Sequence, residues 1–211
     1  VCTSTIINDK LNGKHPEWAA VAAFGDFIPD KGIELLKYSN NLKSLQKFRE
    51  LGILINYNSY GRNIEDLHFH PTTLLREMID SVVPMNFINT SIFKYLKNGY
   101  TRDLENARNC CEDEIMVLLP NEKWGHRISG TLAHLLFEEE PNKPHIVAVK
   151  NDSESYTVSL RAPKSNPYGA GELCKLFGGG GRSSAGGIDS MHGEDLDELK
   201  NQILSRWKVG V

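Results

Sequence analysis

Residues 178–187 read Gly-Gly-Gly-Gly-Arg-Ser-Ser-Ala-Gly-Gly, and no other stretch limits the fold as much. Glycine populates positive φ and lets the backbone come close to a neighbour or a ligand, so the helix that precedes the run has to end there. Consecutive amides without side chains can form an anion-binding nest. Arg182 adds a planar fork of donors suited to phosphate, and Ser183 and Ser184 add hydroxyl donors. Gly179, Gly180 and Gly181 with Arg182, Ser183 and Ser184 are therefore candidate phosphate-binding residues. The competing reading is a flexible, tight connection, and the Arg-Ser-Ser beside the glycines favours the anion site. The run is not a Walker A loop, because no Lys-Ser/Thr follows a final glycine. It is not a Rossmann fingerprint either, because it comes late and after a helix.

The elements around the run alternate. Residues 115–119 read as a short buried strand and 129–139 as a helix with Leu132, Leu135 and Leu136 on one face. Residues 145–149 and 156–160 form a hairpin turning at Asn151-Asp152. A short helix over 170–177 precedes the glycines, residues 186–189 suggest a brief edge strand, and Leu196, Leu199, Ile203 and Leu204 mark a last helix. That order predicts an α/β domain with a mixed sheet. Arg161, in Ser159-Leu160-Arg161, closes a strand. Such an arginine is a solvated surface charge unless the strand lies beside the glycine run, where it becomes a second phosphate clamp.

The first 110 residues are mostly helical by contrast. Helices are expected over 3–12 and 16–24, the second opening with Pro16 and almost uniformly apolar. A stripe of Leu35, Tyr38, Leu42, Leu45 and Phe48 continues the pattern, with a break at residues 39–41 and a loop at 56–61. Thr72 or Thr73 is expected to cap a further helix, and residues 89–109 to be helical with an interruption near Asn98-Gly99.

Composition narrows the classes. The 211 residues are 40% hydrophobic and 24% charged, as in a globular domain, and a net charge of −3 means that any anion site is built locally. No segment approaches about 18 consecutive apolar residues, so no membrane partner is expected. Cys2, Cys110, Cys111 and Cys174 offer neither a metal knuckle nor a disulfide framework, so a reduced, cytoplasmic setting is expected. The opening Val1-Cys2-Thr3-Ser4-Thr5 has no signal-peptide pattern, and a chain that starts on Val and enters a helix at once looks trimmed.

Residues 114–207 resemble the DHH-associated C-terminal domain of DHH-type phosphoesterases, a family that includes RecJ-like exonucleases, nanoRNases and cyclic dinucleotide phosphodiesterases. The resemblance rests on Ser159-Leu160-Arg161 after a hairpin strand and on Phe177-Gly178-Gly179-Gly180-Gly181-Arg182-Ser183-Ser184-Ala185-Gly186-Gly187. The family's usual form is Gly-Gly-Gly-His followed by Ala-Ala-Gly; Arg182 stands where that His contacts substrate phosphate, keeping the charge role but not a titrating one. The resemblance implies a division into residues 1–80, the end of a DHH domain, a helical connector over 81–111, and a substrate-binding domain over 112–211. It further implies a metal-binding Asp at Asp26, with Asp30 as the alternative, and Mn²⁺ or Mg²⁺ as the cofactor. The family's Asp-x-Asp and Asp-His-His motifs are absent, so the chain alone is expected to bind and not cleave. The implied partners are a phosphorylated small molecule, a nucleotide or a short single-stranded nucleic acid, with a homodimer through apolar connector helices also open. A non-catalytic nucleic-acid-binding module is the alternative function, and a degenerate family member a third. His68-Phe69-His70 is read as a loop more than a chelate, and Trp18, Trp124 and Trp207 as packing residues.

Overall fold

In the computed structural model the described residues are 2–111, 113–151 and 154–208. Two compact units divide the chain, Val1–Arg102 and Asp103–Val211.

The first unit is helical: α1 (Thr3–Lys10), α2 (Pro16–Gly25), α3 (Pro29–Tyr38), α4 (Leu45–Tyr57), α5 (Pro71–Ser81), α6 (Pro84–Ile88) and most of α7 (Ser91–Arg108). Pro16, Pro29, Pro71 and Pro84 each open a helix, where the missing N–H would have had no partner. The uniformly apolar α2 is explained by burial: Ala19, Ala20 and Ala23 are all nearly inaccessible, packed among α3 and α4. Two glycines bring α2 and α4 into backbone contact. A Cβ on Gly52 would lie 2.2 Å from the Val21 carbonyl O, and one on Gly25 2.8 Å from the Gly52 carbonyl O. Phe24, Phe48, Leu51, Leu54 and Phe87 fill the remaining core.

Three details differ from the sequence reading. Helix α4 runs through Tyr57, so the loop expected from residue 56 starts later. The cap of α5 is His70, whose Nδ1 accepts the Thr72 amide at 3.2 Å, so neither Thr72 nor Thr73 is the cap. Helix α7 continues unbroken through Asn98-Gly99. Gly99 serves packing: a Cβ there would stand 2.5 Å from His68 Nε2. Of the possible chelate, His70 is spent on the cap and His68 shares a 2.7 Å hydrogen bond with the Tyr57 hydroxyl.

The second unit carries a five-stranded sheet in the order β1 (Met116–Leu119), β2 (His145–Lys150), β3 (Ser155–Arg161), β5 (Ala185–His192), β4 (Gly180–Arg182). β1 and β2 are parallel and joined by α8 (Lys123–Glu139); the other pairs are antiparallel. The α/β class with a mixed sheet is as expected. The hairpin of β2 and β3 is also present; Asp152 of its expected turn lies outside the described residues, as does Glu112. Residues 186–189 belong to the interior strand β5, and the sheet edge is β4. Strand alternation sorts the side chains to two faces. Ile146, Ala148, Val158, Leu160 and Ile188 pack with α9 (Ala170–Leu176) and α10 (Leu196–Trp207). Val147 and Val149, on the other face, are buried beneath α8.

Candidate functional site

The glycine run folds into a β-hairpin. β4 and β5 pair through Gly180 with Gly187, Gly181 with Gly186, and Arg182 with Ala185, leaving Ser183-Ser184 as a two-residue turn. The turn is tied on both sides. The Ala162 amide donates to the Ser184 carbonyl at 3.0 Å, and the Ala170 amide to the Ser183 carbonyl at 2.9 Å.

Register then answers the question left open at Arg161. Arg161 pairs with Ala185, and Ala185 pairs with Arg182. Residues opposite one another project from the same face, so both arginines rise from one face with their Cα atoms two strand spacings apart, about 10 Å. The next row on that face is Ser159, Gly187 and Gly180, set back by about 7 Å along the strands. Arg161 is half-buried, with Nη1 donating to the Leu160 carbonyl at 3.1 Å, and Arg182 is exposed. His145, opposite Arg161 on β2, is buried; desolvation lowers its pKa against the upward pull of the Glu140 carbonyl that it contacts at 3.0 Å. A neutral imidazole there adds no third cation.

The glycines of the run divide by face. A Cβ on Gly179 would stand 2.2 Å from the Gly187 carbonyl O, on Gly181 2.4 Å from the Ala185 carbonyl O, and on Gly186 2.5 Å from Cys174 Sγ. Gly178 and Gly181 also take φ of +79° and +142°, which side chains rarely adopt. These four are required by the packing of the hairpin and its approach to α9. Gly180 and Gly187 are different. A Cβ on Gly180 would meet nothing within 4 Å, and one on Gly187 only the Val158 carbonyl at 3.4 Å. Of the candidate residues, Arg161, Gly180 and Arg182 share the open face, Ser183 and Ser184 form the turn at its end, and Gly179 and Gly181 address the covered one. Ser159, Ala185 and Gly187 complete the open face and were not among the candidates. Their signal was present, since Ser159 stands two residues before Arg161 in a strand and so on its face. Cys174, on the covered face, is pushed up to about 11 by burial, with Arg161 pulling the other way, and stays a thiol.

No protein-family model matches the chain, and no curated protein matches it in sequence. Solved structures do match. The pGpG-specific phosphodiesterase PggH from Vibrio cholerae superposes with a TM-score of 0.53 and 15% identity over 76% of this chain and 57% of its own. The manganese-bound exonuclease RecJ superposes with a TM-score of 0.53 and 16% identity over 93% of this chain and 55% of its own. The chain has a RecJ-like fold. It spans little more than half the length of either neighbour.

In this RecJ-like fold Asp26 is the exposed residue that ends α2, and it borders a cavity of about 530 Å³ among α1, α2 and α4, with His15, Asn8 and Asn56 also on the wall. Asp30 sits in the first turn of α3. Among the described residues no cluster of three or more His, Cys, Asp or Glu side chains is arranged to hold a metal. One exposed carboxylate amid amides and an imidazole does not displace the hydration of a Mn²⁺ or Mg²⁺ ion, so the residues present do not by themselves fit the metal. Trp18 and Trp207 are half-buried and donate to the Val82 and Asn166 carbonyls at 2.8 and 3.0 Å, as packing residues would. Among the described residues no helix is long and apolar enough to cross a membrane.

Proposed function

We propose that this chain supplies the substrate-binding part of a DHH-type phosphoesterase that hydrolyses phosphodiester or phosphoanhydride bonds in nucleotides or short oligonucleotides. The observation that carries the reading is the pair Arg161 and Arg182 on one open sheet face, joined through Ala185. Guanidinium forks bind phosphate through charge-assisted hydrogen bonds, and two at this spacing give an acidic chain a local anion site. In this proposal residues 112–211 hold the phosphates, 81–111 are the connector, and 1–80 are the end of the catalytic domain, with Asp26 offering one ligand to a Mn²⁺ or Mg²⁺ whose other ligands lie outside these residues. A homodimer through the apolar connector helices belongs to the same proposal, with a second copy of this chain as the partner.

Titration calorimetry with adenosine 5′-monophosphate and with inorganic phosphate tests the reading. Arg161→Ala and Arg182→Ala are each expected to weaken both ligands about tenfold or more, as loss of a charge-assisted hydrogen bond does. Unchanged affinities in both variants would overturn it.

A further inference from the structure

Arg161 ends β3, and residues 162–169 run as a strap from there to the start of α9. The two ends of the strap hold the turn of the glycine hairpin, since it is Ala162 and Ala170, on either side, that donate their amides to the Ser184 and Ser183 carbonyls. The strand beside the turn, β4, is three residues long and two of them are glycine. A strand so short and so free in φ and ψ has little of its own to hold it still. Where Arg182 stands relative to Arg161 therefore depends on where the strap lies.

The strap is itself fixed from the last turn of α10. Trp207 Nε1 donates to the Asn166 carbonyl at 3.0 Å. Arg206, next to it, lays its guanidinium over Gly169: a Cβ there would stand 1.9 Å from Arg206 Nη1 and 2.9 Å from its Cζ. A further hold comes from the Lys164 amide, which donates to the Pro141 carbonyl at 2.6 Å. Helix α10 packs on the covered face of the sheet, opposite the face from which Arg161 and Arg182 rise. Its two terminal side chains thus act on the strap and not on a ligand.

We propose that Arg206 and Trp207 are positioning residues for the phosphate site: they pin the strap, the strap holds the Ser183-Ser184 turn, and the turn sets Arg182 against Arg161. The inference rests on the phosphate reading above and names what keeps that site in shape. Two guanidinium groups gain from converging on one phosphate only when their spacing is set before it arrives. With the strap released, binding itself has to order Arg182, and affinity falls by that cost.

Titration calorimetry with inorganic phosphate, beside thermal unfolding, tests this on the whole chain. Trp207→Phe keeps an aromatic ring against the core and removes the N–H. It is expected to unfold close to the parent and to weaken phosphate about three- to tenfold, the scale of ordering one long side chain on binding. In the Arg182→Ala background the same change is expected to have no further effect, because the side chain that it positions is gone. An equal loss in both backgrounds would be general loosening and overturns the proposal. Arg206→Lys keeps the charge but not the plane that covers Gly169, so it is expected to weaken phosphate as Arg206→Gln does. Parent-like affinity in the lysine variant, with a loss in the glutamine one, would make Arg206 a direct charge contact and overturn its positioning role. If Arg182→Ala weakens phosphate while Trp207→Phe and Arg206→Lys leave it unchanged, the positioning role fails and the phosphate reading stands. If Arg182→Ala leaves phosphate unchanged, the phosphate reading fails and this inference fails with it.

Discussion

Arg127 on α8 donates from Nε to Asp103 Oδ2 on α7 at 2.8 Å, and its Nη2 meets the same oxygen at 2.7 Å, with both side chains almost wholly buried. A charge withdrawn from water is tolerable only with its partner, so removing one member leaves the other uncompensated. Arg127→Ala is expected to destabilise the second unit by about 3–5 kcal/mol. Replacing both, Arg127→Met with Asp103→Leu, is expected to recover most of that loss, because an apolar pair restores volume without a stranded charge. Urea unfolding of the single and double variants checks this; equal losses in both would show that the pair is not the source.

Asp113 binds the turn before β1 to the last helix. Its Oδ1 accepts the Ile115 and Met116 amides at 2.9 and 3.0 Å, and its Oδ2 accepts Lys200 Nζ. Lys200 first, and the two amides after it, lower the carboxyl from 3.8 to about 2. The folded state therefore binds fewer protons than the unfolded state between those values. The stability contributed is fully present above pH 3.8 and fades as pH falls toward 2. Because the side chain is 41% exposed, the contribution is modest, about 1 kcal/mol or less after solvent screening. Asp113→Asn is expected to melt lower than the parent at pH 6, and the two are expected to converge near pH 2. A difference that persists at pH 2 would point to a cause other than the charge.

Gly186 faces the covered side of the hairpin, and its steric demand is the opposite of that at Gly180. A Cβ at 186 would stand 2.5 Å from Cys174 Sγ and 2.8 Å from the Ala170 carbonyl O. Gly186→Ala is expected to cost about 1–3 kcal/mol by overpacking. Adding Cys174→Ala removes the nearer clash and leaves the backbone one, so the double variant is expected to regain part of the loss relative to Cys174→Ala alone. Additive losses in a thermal unfolding cycle would show that the two positions do not meet.

Periodic stretches were legible because their cause is local. The stripe of Leu35, Tyr38, Leu42, Leu45 and Phe48 marks helical segments, although Tyr38 and Leu42 are left exposed, and that stripe, Pro16 at the start of α2 and the β2–β3 hairpin follow from spacing and φ preference within a few residues. The glycine run was legible as unusual but not as a hairpin, because its pairing depends on β3, distant in sequence, and on α9 beneath it. The adjacency of Arg161 and Arg182 likewise needs Ala185 between them, a register that no local pattern states. The Asp103–Arg127 pair left no trace at all, since an Asp and an Arg on separate helices look like two surface charges until burial is known.

Gly99 shows the same limit from the other side. Within a helix, glycine is less favourable than alanine by about 1 kcal/mol, and that local rule is why the sequence suggested a break. The rule is overridden by His68, whose imidazole occupies the place of the missing Cβ and shares a 2.7 Å hydrogen bond with the fully buried Tyr57. Gly99→Ala gains helix propensity but drives its methyl to 2.5 Å from His68 Nε2, displacing the ring and that bond. Loss of a hydrogen bond to a buried hydroxyl costs about 1–3 kcal/mol, so a net destabilisation is expected. With His68→Ala as the background the obstacle is gone, and Gly99→Ala should then stabilise by about 1 kcal/mol, as in an exposed helix. The sign reversal is read by thermal unfolding of the four proteins of the cycle. The same sign in both backgrounds would mean that His68 is not what keeps position 99 a glycine.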